Sequence, residues 1–394
     1  MAKTLEKKPV RNFPCPKKGK MRMALKQKLT KKPASKLTQG KAWASTPYVR
    51  DGDKAPRVDR LKWKRTFQEL AGLTEKEAIE LLMRDGLLPS WEGASCPFCT
   101  EGIVGPLQDR DSGLPRYRCR RRNCHKFITP QHLHPLFSAT RGPEGQTLGL
   151  QAGLLLLLLA GVPSSSIHLV TQVNHKVVER LHKSLAFVRK AYVEHVQAGM
   201  VFGGRKNAWQ DVEVDETSFD KKLVPIDEVE VPERNMKWEQ LTKKRSPGPG
   251  PIRKDEWRNI ADKWLKDKQI ILHTDSAKAY KQKVRGVHHG SVVHQKKRVK
   301  VGGVWTWQQP TYVKLKKITL PTGRKLTVKV GTQIVDRSWK FIKSRLRLNQ
   351  HVQTGSAYMQ ACIRSAQYDY WHRGQDLWTC TGALLTWYMR KILQ

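Results

Sequence analysis

Long apolar runs are missing from this chain, acidic residues are scarce, and cysteines are few. The longest apolar stretch, Leu148–Val162, is interrupted by Gly149, Gln151 and Gly153. It falls short of the roughly 20 residues a membrane-spanning helix requires, so a membrane protein is not expected. No secretory signal is read at Met1–Val10, which Lys3, Glu6, Lys7 and Lys8 break up. The cysteines are Cys15, Cys96, Cys99, Cys119, Cys124, Cys362 and Cys380. Four cluster and three scatter, which suits a reducing compartment with one metal site better than a disulfide framework. Asp and Glu number 34 against 74 Lys and Arg, a formal net charge of +40. So large an excess repels itself in isolation and calls for a polyanion, and nucleic acid is the one expected. The expected location is the nucleus in a eukaryote and the cytoplasm otherwise.

What is present divides the 394 residues, 39% of them hydrophobic, into several regions. Residues 1–60 carry 18 Lys and Arg against four acids, with no apolar period, and read as a disordered basic arm. Lys17, Lys18 and Lys20 fit a nuclear-import signal or a merely solvating tail equally well. Residues 61–90 form a short helical lead-in, where Thr74 and Glu77 make a capping-box pattern before Ala78, Leu81 and Leu82. Residues 91–130 hold the cysteine cluster. From 146 to 200 the pattern is helical: Leu148–Ala160 is apolar all round, Ser164–Val170 is short, and Asn174 precedes Val178, Leu181, Leu185 and Val188 at helical spacing. Three helices about a tight Gly161–Pro163 turn suggest a helix-turn-helix or a plain helical linker.

Residues 205–394 alternate. Strands are expected over Trp209–Asp215, Gln269–His273, Val292–Val301, Thr311–Leu320 and Lys325–Val330, with a Pro321-Thr322-Gly323 turn between the last two. Helices are expected over Asp255–Lys266, Gln333–Leu346 and Ser356–Leu393, the last interrupted near Gly374. Ser246–Pro251 reads as an exposed loop. Trp305 and Trp307 read as core in preference to base-stacking groups.

The cysteines are spaced Cys96-x2-Cys99, then 19 residues, then Cys119-x4-Cys124. Two short Cys pairs on facing turns supply the four thiolates of a structural zinc ribbon, although the second gap is wider than usual. Arg116, Arg118, Arg120, Arg121 and Arg122 crowd the second pair and make a phosphate clamp or, more blandly, a solvated basic surface.

Three carboxylates lie at the ends of expected elements. Asp215, beside Glu216, closes the first strand, and Asp275 closes a buried strand. Asp336 opens a helix on which Lys340, Lys343 and Arg347 share its face. On its own that face reads as an ordinary ladder of surface charges. Together, Val212-Glu213-Val214-Asp215-Glu216, His273-Thr274-Asp275-Ser276 and Val335-Asp336-Arg337-Ser338-Trp339 resemble the three catalytic blocks of Merlin-type DDE transposases. The likeness extends to bacterial insertion-sequence relatives with an ISXO-like domain, and covers about residues 90–394. Gln367-Tyr368-Asp369-Tyr370-Trp371 is similar to the family's C-terminal aromatic helix.

The resemblance implies an α/β fold: an RNase H-like mixed sheet with flanking helices, behind the zinc ribbon and helix-turn-helix. It implies Asp215, Asp275 and Asp336 as ligands of two catalytic magnesium ions, with Lys343 as the basic residue that closes the motif. The implied ligands are the element's terminal repeats and target DNA, bound by a homo-oligomer. Two features depart from the family. Asp336 stands where Glu is usual, and Asp220–Arg245 is short and charged where a strand hairpin is normal. Both fit a rival reading, a catalytically decayed or domesticated DNA-binding zinc protein. A third reading is a zinc-ribbon protein that binds RNA.

Overall fold

The computed structural model describes residues 61–109, 114–138, 145–204, 209–217, 252–346 and 356–393. The expected basic arm, the Asp220–Arg245 segment, the Ser246–Pro251 loop and Arg347 lie outside the described residues. The described residues form a mixed α/β structure of small sheets and helices, and no helix among them is long and apolar enough to cross a membrane.

The first core is helical. Helices α1 (Phe67–Ala71) and α2 (Glu75–Arg84) each start at a threonine whose hydroxyl accepts from the third helical amide while a glutamate reciprocates. Helix α3 (Leu148–Leu159) is apolar all round and accordingly buried on nearly every side. Its one buried amide side chain, Gln151, is satisfied by the Ser138 and Gln146 backbone at 2.9–3.1 Å. Helix α4 (Ser164–Thr171) follows the turn at Gly161, and α5 (His175–Ala198) is capped by Asn174, which accepts from the Lys176 amide at 2.9 Å.

A tiny antiparallel ladder, β1 (Tyr117–Arg118) with β2 (Phe127–Ile128), carries the cysteine region. Next come β3 (Gln210–Glu213), α6 (Lys254–Trp264), β4 (Ile270–Thr274) and β5 (Val287–Ser291), the strands forming a parallel sheet in the order β3-β4-β5. Strand β4 is buried along its whole length, as a central parallel strand must be. Its side chains alternate: Ile270 and Leu272 meet Trp257 and Ala261 of α6, whereas Ile271 meets Ile318, Val328 and Val330 on the other face. The latter belong to a hairpin of β8 (Lys314–Thr319) and β9 (Lys325–Val330), turned at Pro321–Gly323 as expected.

Between these elements stands a hairpin whose first strand, β6 (Lys297–Val301), falls within the expected Val292–Val301 strand, whereas its partner β7 (Val304–Gln308) was not expected. Trp305 and Trp307 are not core: they are 57% and 62% exposed on β7. Helix α7 (Gln333–Arg345) follows β9, and the expected break near Gly374 separates α8 (Ala357–Trp371) from α9 (Leu377–Leu393). Rather than covering the sheet, α8 and α9 complete the helical layer. Tyr368, Trp378, Leu384 and Leu385 share a core with α2, α3 and α5. Arg189 of α5 pairs with Asp369 of α8 at 3.0 Å, and Trp378 Nε1 donates to Asp85 Oδ2 at 2.8 Å. The N-terminal helices and the last two therefore stabilise one another across the chain.

Candidate functional site

The four expected cysteines converge. Among the described residues they are the one group of possible ligands whose ligand atoms all lie within 4.8 Å of one another. Cys96 and Cys124 sulfurs are 3.8 Å apart, as are those of Cys99 and Cys119. A tetrahedron of about 2.3 Å zinc–sulfur bonds has edges of about 3.8 Å, so the cluster has the dimensions of a zinc site.

Two tight turns produce this. The Cys96 carbonyl accepts from the Thr100 amide at 2.8 Å, and the Arg121 carbonyl accepts from Cys124 at 3.0 Å and His125 at 3.2 Å. Gly102 lets them close: a Cβ there would stand 2.5 Å from Cys119 Sγ and 3.0 Å from Cys99 Sγ. Burial pushes the Cys119 thiol up to about 12. Burial also raises Cys99, but the Gly102 amide and the neighbouring thiols outweigh it and leave Cys99 at about 7.

Of the arginines beside the cluster, Arg118, Arg120, Arg121 and Arg122 are exposed, whereas Arg116 is half-buried with its guanidinium 3.5 Å over the Phe127 ring. Arg121 pairs with Glu101. In the region where a helix-turn-helix or a plain helical linker is expected, α4 carries no Lys or Arg and exposes Leu169 and Val170. The exposed cations there, Lys176, Arg180 and Lys183, stand on α5.

A second cluster gathers at the carboxyl ends of the parallel strands. On β3 the side chains alternate, so Val212 and Val214 pack toward α6 while Asp211 and Glu213 face the other way. The ladder runs one residue past the strand, with Val214 donating to the His273 carbonyl at 2.9 Å, and Asp215 comes next. Asp275 directly follows β4, and its Oδ1 accepts from the Ala277 amide at 2.8 Å in a tight turn. Beneath them His273 Nε2 meets Asp211 Oδ1 at 2.7 Å, a pair only 1% exposed on each side that braces β3 to β4. Thr274 Oγ1 contacts His289 Nε2 of β5 at 2.8 Å.

Asp336 reaches this edge on α7, and a residue outside the expected site holds it there. Glu213 Oε2 accepts from the Ile334 and Val335 amides at 2.8 Å each. It takes the second and third helical amides, which a capping side chain normally satisfies; the Thr332 hydroxyl instead donates to Asp336 Oδ2 at 3.2 Å. Glu216 joins from the other side, accepting from the buried Tyr280 hydroxyl. The signal for Glu213 was its parity: between two core valines it must face away from α6.

Burial first, then the charges of Asp336, Glu216 and Asp275, push the Asp215 carboxyl up to about 6. The three expected acids therefore act on one another, although they are not drawn in to the spacing of the four thiols. Lys340 and Lys343 are exposed on α7, one and two turns beyond Asp336. A half-buried carboxyl whose proton affinity is raised by burial and by neighbouring carboxylates is a cation-binding chemistry, and the adjacent lysines can hold an anion. Comparison with protein-family models, with curated proteins and with solved structures found no match.

Proposed function

We propose that this protein is a metal-dependent DNA transposase of the cut-and-paste kind, with an RNase H-like catalytic domain behind a zinc ribbon. One observation carries the reading. Asp215, Asp275 and Asp336 come from the ends of two neighbouring parallel strands and a helix, yet they gather at one sheet edge, where burial and then the charges of its neighbours hold Asp215 at about 6. Groups whose proton affinity is raised by like charge mark sites where a cation belongs. The carboxylates would hold two magnesium ions. When bound, the ions supply activation of water or of a 3′-hydroxyl and stabilisation of the leaving oxygen.

The chain's own residues do the rest. Glu213 fixes the start of α7, and thereby Asp336, against the sheet. Lys340 and Lys343 hold the phosphate backbone beside the acids. Cys96, Cys99, Cys119 and Cys124 hold zinc, which fixes the hairpin that presents Arg118, Arg120 and Arg122 to DNA. The terminal repeats and the target are the DNA ligands, assembled on a homo-oligomer.

A second reading, a DNA-binding protein that no longer cleaves, is favoured by Asp336 itself, one methylene shorter than the Glu usual in the family it resembles. Strand cleavage of the repeats flanking the protein's own gene separates the two. Asp275→Asn should abolish magnesium-dependent cleavage and leave binding intact, and Asp336→Glu should maintain or raise it. Binding without cleavage in all three proteins would leave the non-catalytic reading.

A further inference from the structure

We propose that the β6–β7 hairpin binds unpaired DNA bases, with Trp305 and Trp307 as the stacking platform. This goes beyond the cleavage site but rests on the reading that DNA is the ligand.

The hairpin turns at Gly302 and Gly303, whose φ of 56° and 87° are both positive, as a two-residue turn matching the strand twist demands. Its register sets Arg298 opposite Trp307 and Lys300 opposite Trp305, so these four side chains share one face. Both rings are more than half exposed, and the Arg298 guanidinium lies 5.7 Å from the Trp305 ring and 5.8 Å from the Trp307 ring. Among the described residues no other element covers that face: every residue of β7 is exposed, and only Val299 of β6 is partly buried. Isolated two-stranded hairpins are marginal in water, and large aromatics are normally buried. A pair of bare tryptophans on such an element therefore implies an occupant.

Charge identifies it. Between Asp275 and Asp336 the chain has 14 Lys and Arg and no acidic residue. The occupant must be anionic and must also offer flat apolar faces to two rings. Cations and rings stand at the same level on one face, interleaved. A lipid surface would draw the rings below the headgroups and leave the cations above them. A single strand presents phosphates and bases side by side, and its bases are open for stacking, whereas those of a duplex are stacked on one another. The segment also links the strand that ends at Asp275 to the helix that carries Asp336, so a strand held here belongs to DNA engaged at the acids.

The test uses the full chain with a labelled oligo(dT) and a blunt duplex of equal length. Trp305→Ala with Trp307→Ala should weaken oligo(dT) binding about 100-fold, about tenfold for each ring removed, and change duplex binding by less than about threefold. Replacing both with Phe should recover most of the loss, because stacking survives. Unchanged oligo(dT) binding in a folded Ala variant would overturn the proposal. So would ring-dependent binding of oligo(U) or anionic vesicles in place of oligo(dT), or a ring-dependent dimer that leaves DNA binding untouched. Wild-type protein that binds neither DNA would instead defeat the DNA reading itself.

Discussion

Replacing Glu213 with alanine removes the carboxylate that caps α7, and its cost follows from the geometry. Two backbone amides lose an acceptor at 2.8 Å. Hydrogen bonds to a charged group contribute about 1.5–3 kcal/mol each in favourable cases, and a negative charge at a helix start adds about 0.3–1 kcal/mol. Glu213 is only half-buried and water can reach the exposed Ile334, so the two bonds together are worth about 2–3 kcal/mol. For a unit of this size that is a fall in Tm of roughly 5 °C. Glu213→Gln keeps an acceptor oxygen but not the charge, and should fall about half as far. A second effect separates positioning from mere stability. With the start of α7 released, Asp336 no longer presses on Asp215, so the Asp215 carboxyl should drop below about 6, while burial and the other acids still hold it above its ordinary value. Thermal unfolding with carboxyl-resolved NMR titration reads both. An unchanged Tm and an unchanged Asp215 titration in Glu213→Ala would refute the reasoning.

Zinc should co-purify at one ion per chain, and Cys96→Ser with Cys99→Ser should unfold the ribbon around Trp91 and Tyr117; metal analysis finding no zinc would contradict this. Replacing exposed Arg118, Arg120 and Arg122 with Ala should flatten the log–log salt dependence of duplex binding by roughly 2–3 units, about 0.9 for each phosphate left unneutralised. Burial holds His134 at about 4, below its usual 6.5, and its Nδ1 accepts from the Leu136 and Phe137 amides at 3.2 and 2.9 Å. Below pH 6.5 the unfolded chain binds a proton that the folded one refuses, so this stability is complete above 6.5 and falls by about 3 kcal/mol as pH drops to 4. A ring that titrates near 6.5 by NMR would contradict that account.

Local signals in the sequence were well obeyed. The capping box at Thr74 and the Asn174 cap depend on residues three or fewer apart, and α3 needs no partner to declare itself buried. The ends of β3 and β4 were legible because β-branched and apolar runs stop at acids. Three features were not. The β6–β7 hairpin announces itself only by Gly302-Gly303 between Val301 and Val304, and its tryptophans were read as core because aromatic burial is the general rule. Glu213 caps a helix that begins about 120 residues later, beyond the reach of any local period. The packing of α8 and α9 on α5 rests on apolar faces that match several partners equally well, so the sequence could not choose among them.

Binding of manganese, the paramagnetic stand-in for magnesium, tests the central claim without needing any particular DNA sequence. The protein with its zinc ribbon loaded should bind manganese, read by electron paramagnetic resonance. Asp215→Asn and Asp275→Asn should each abolish that signal while leaving the zinc content and fold intact. Wild-type protein that binds no manganese, or variants that bind it as well as wild type, would contradict the assignment of these acids as the catalytic metal site.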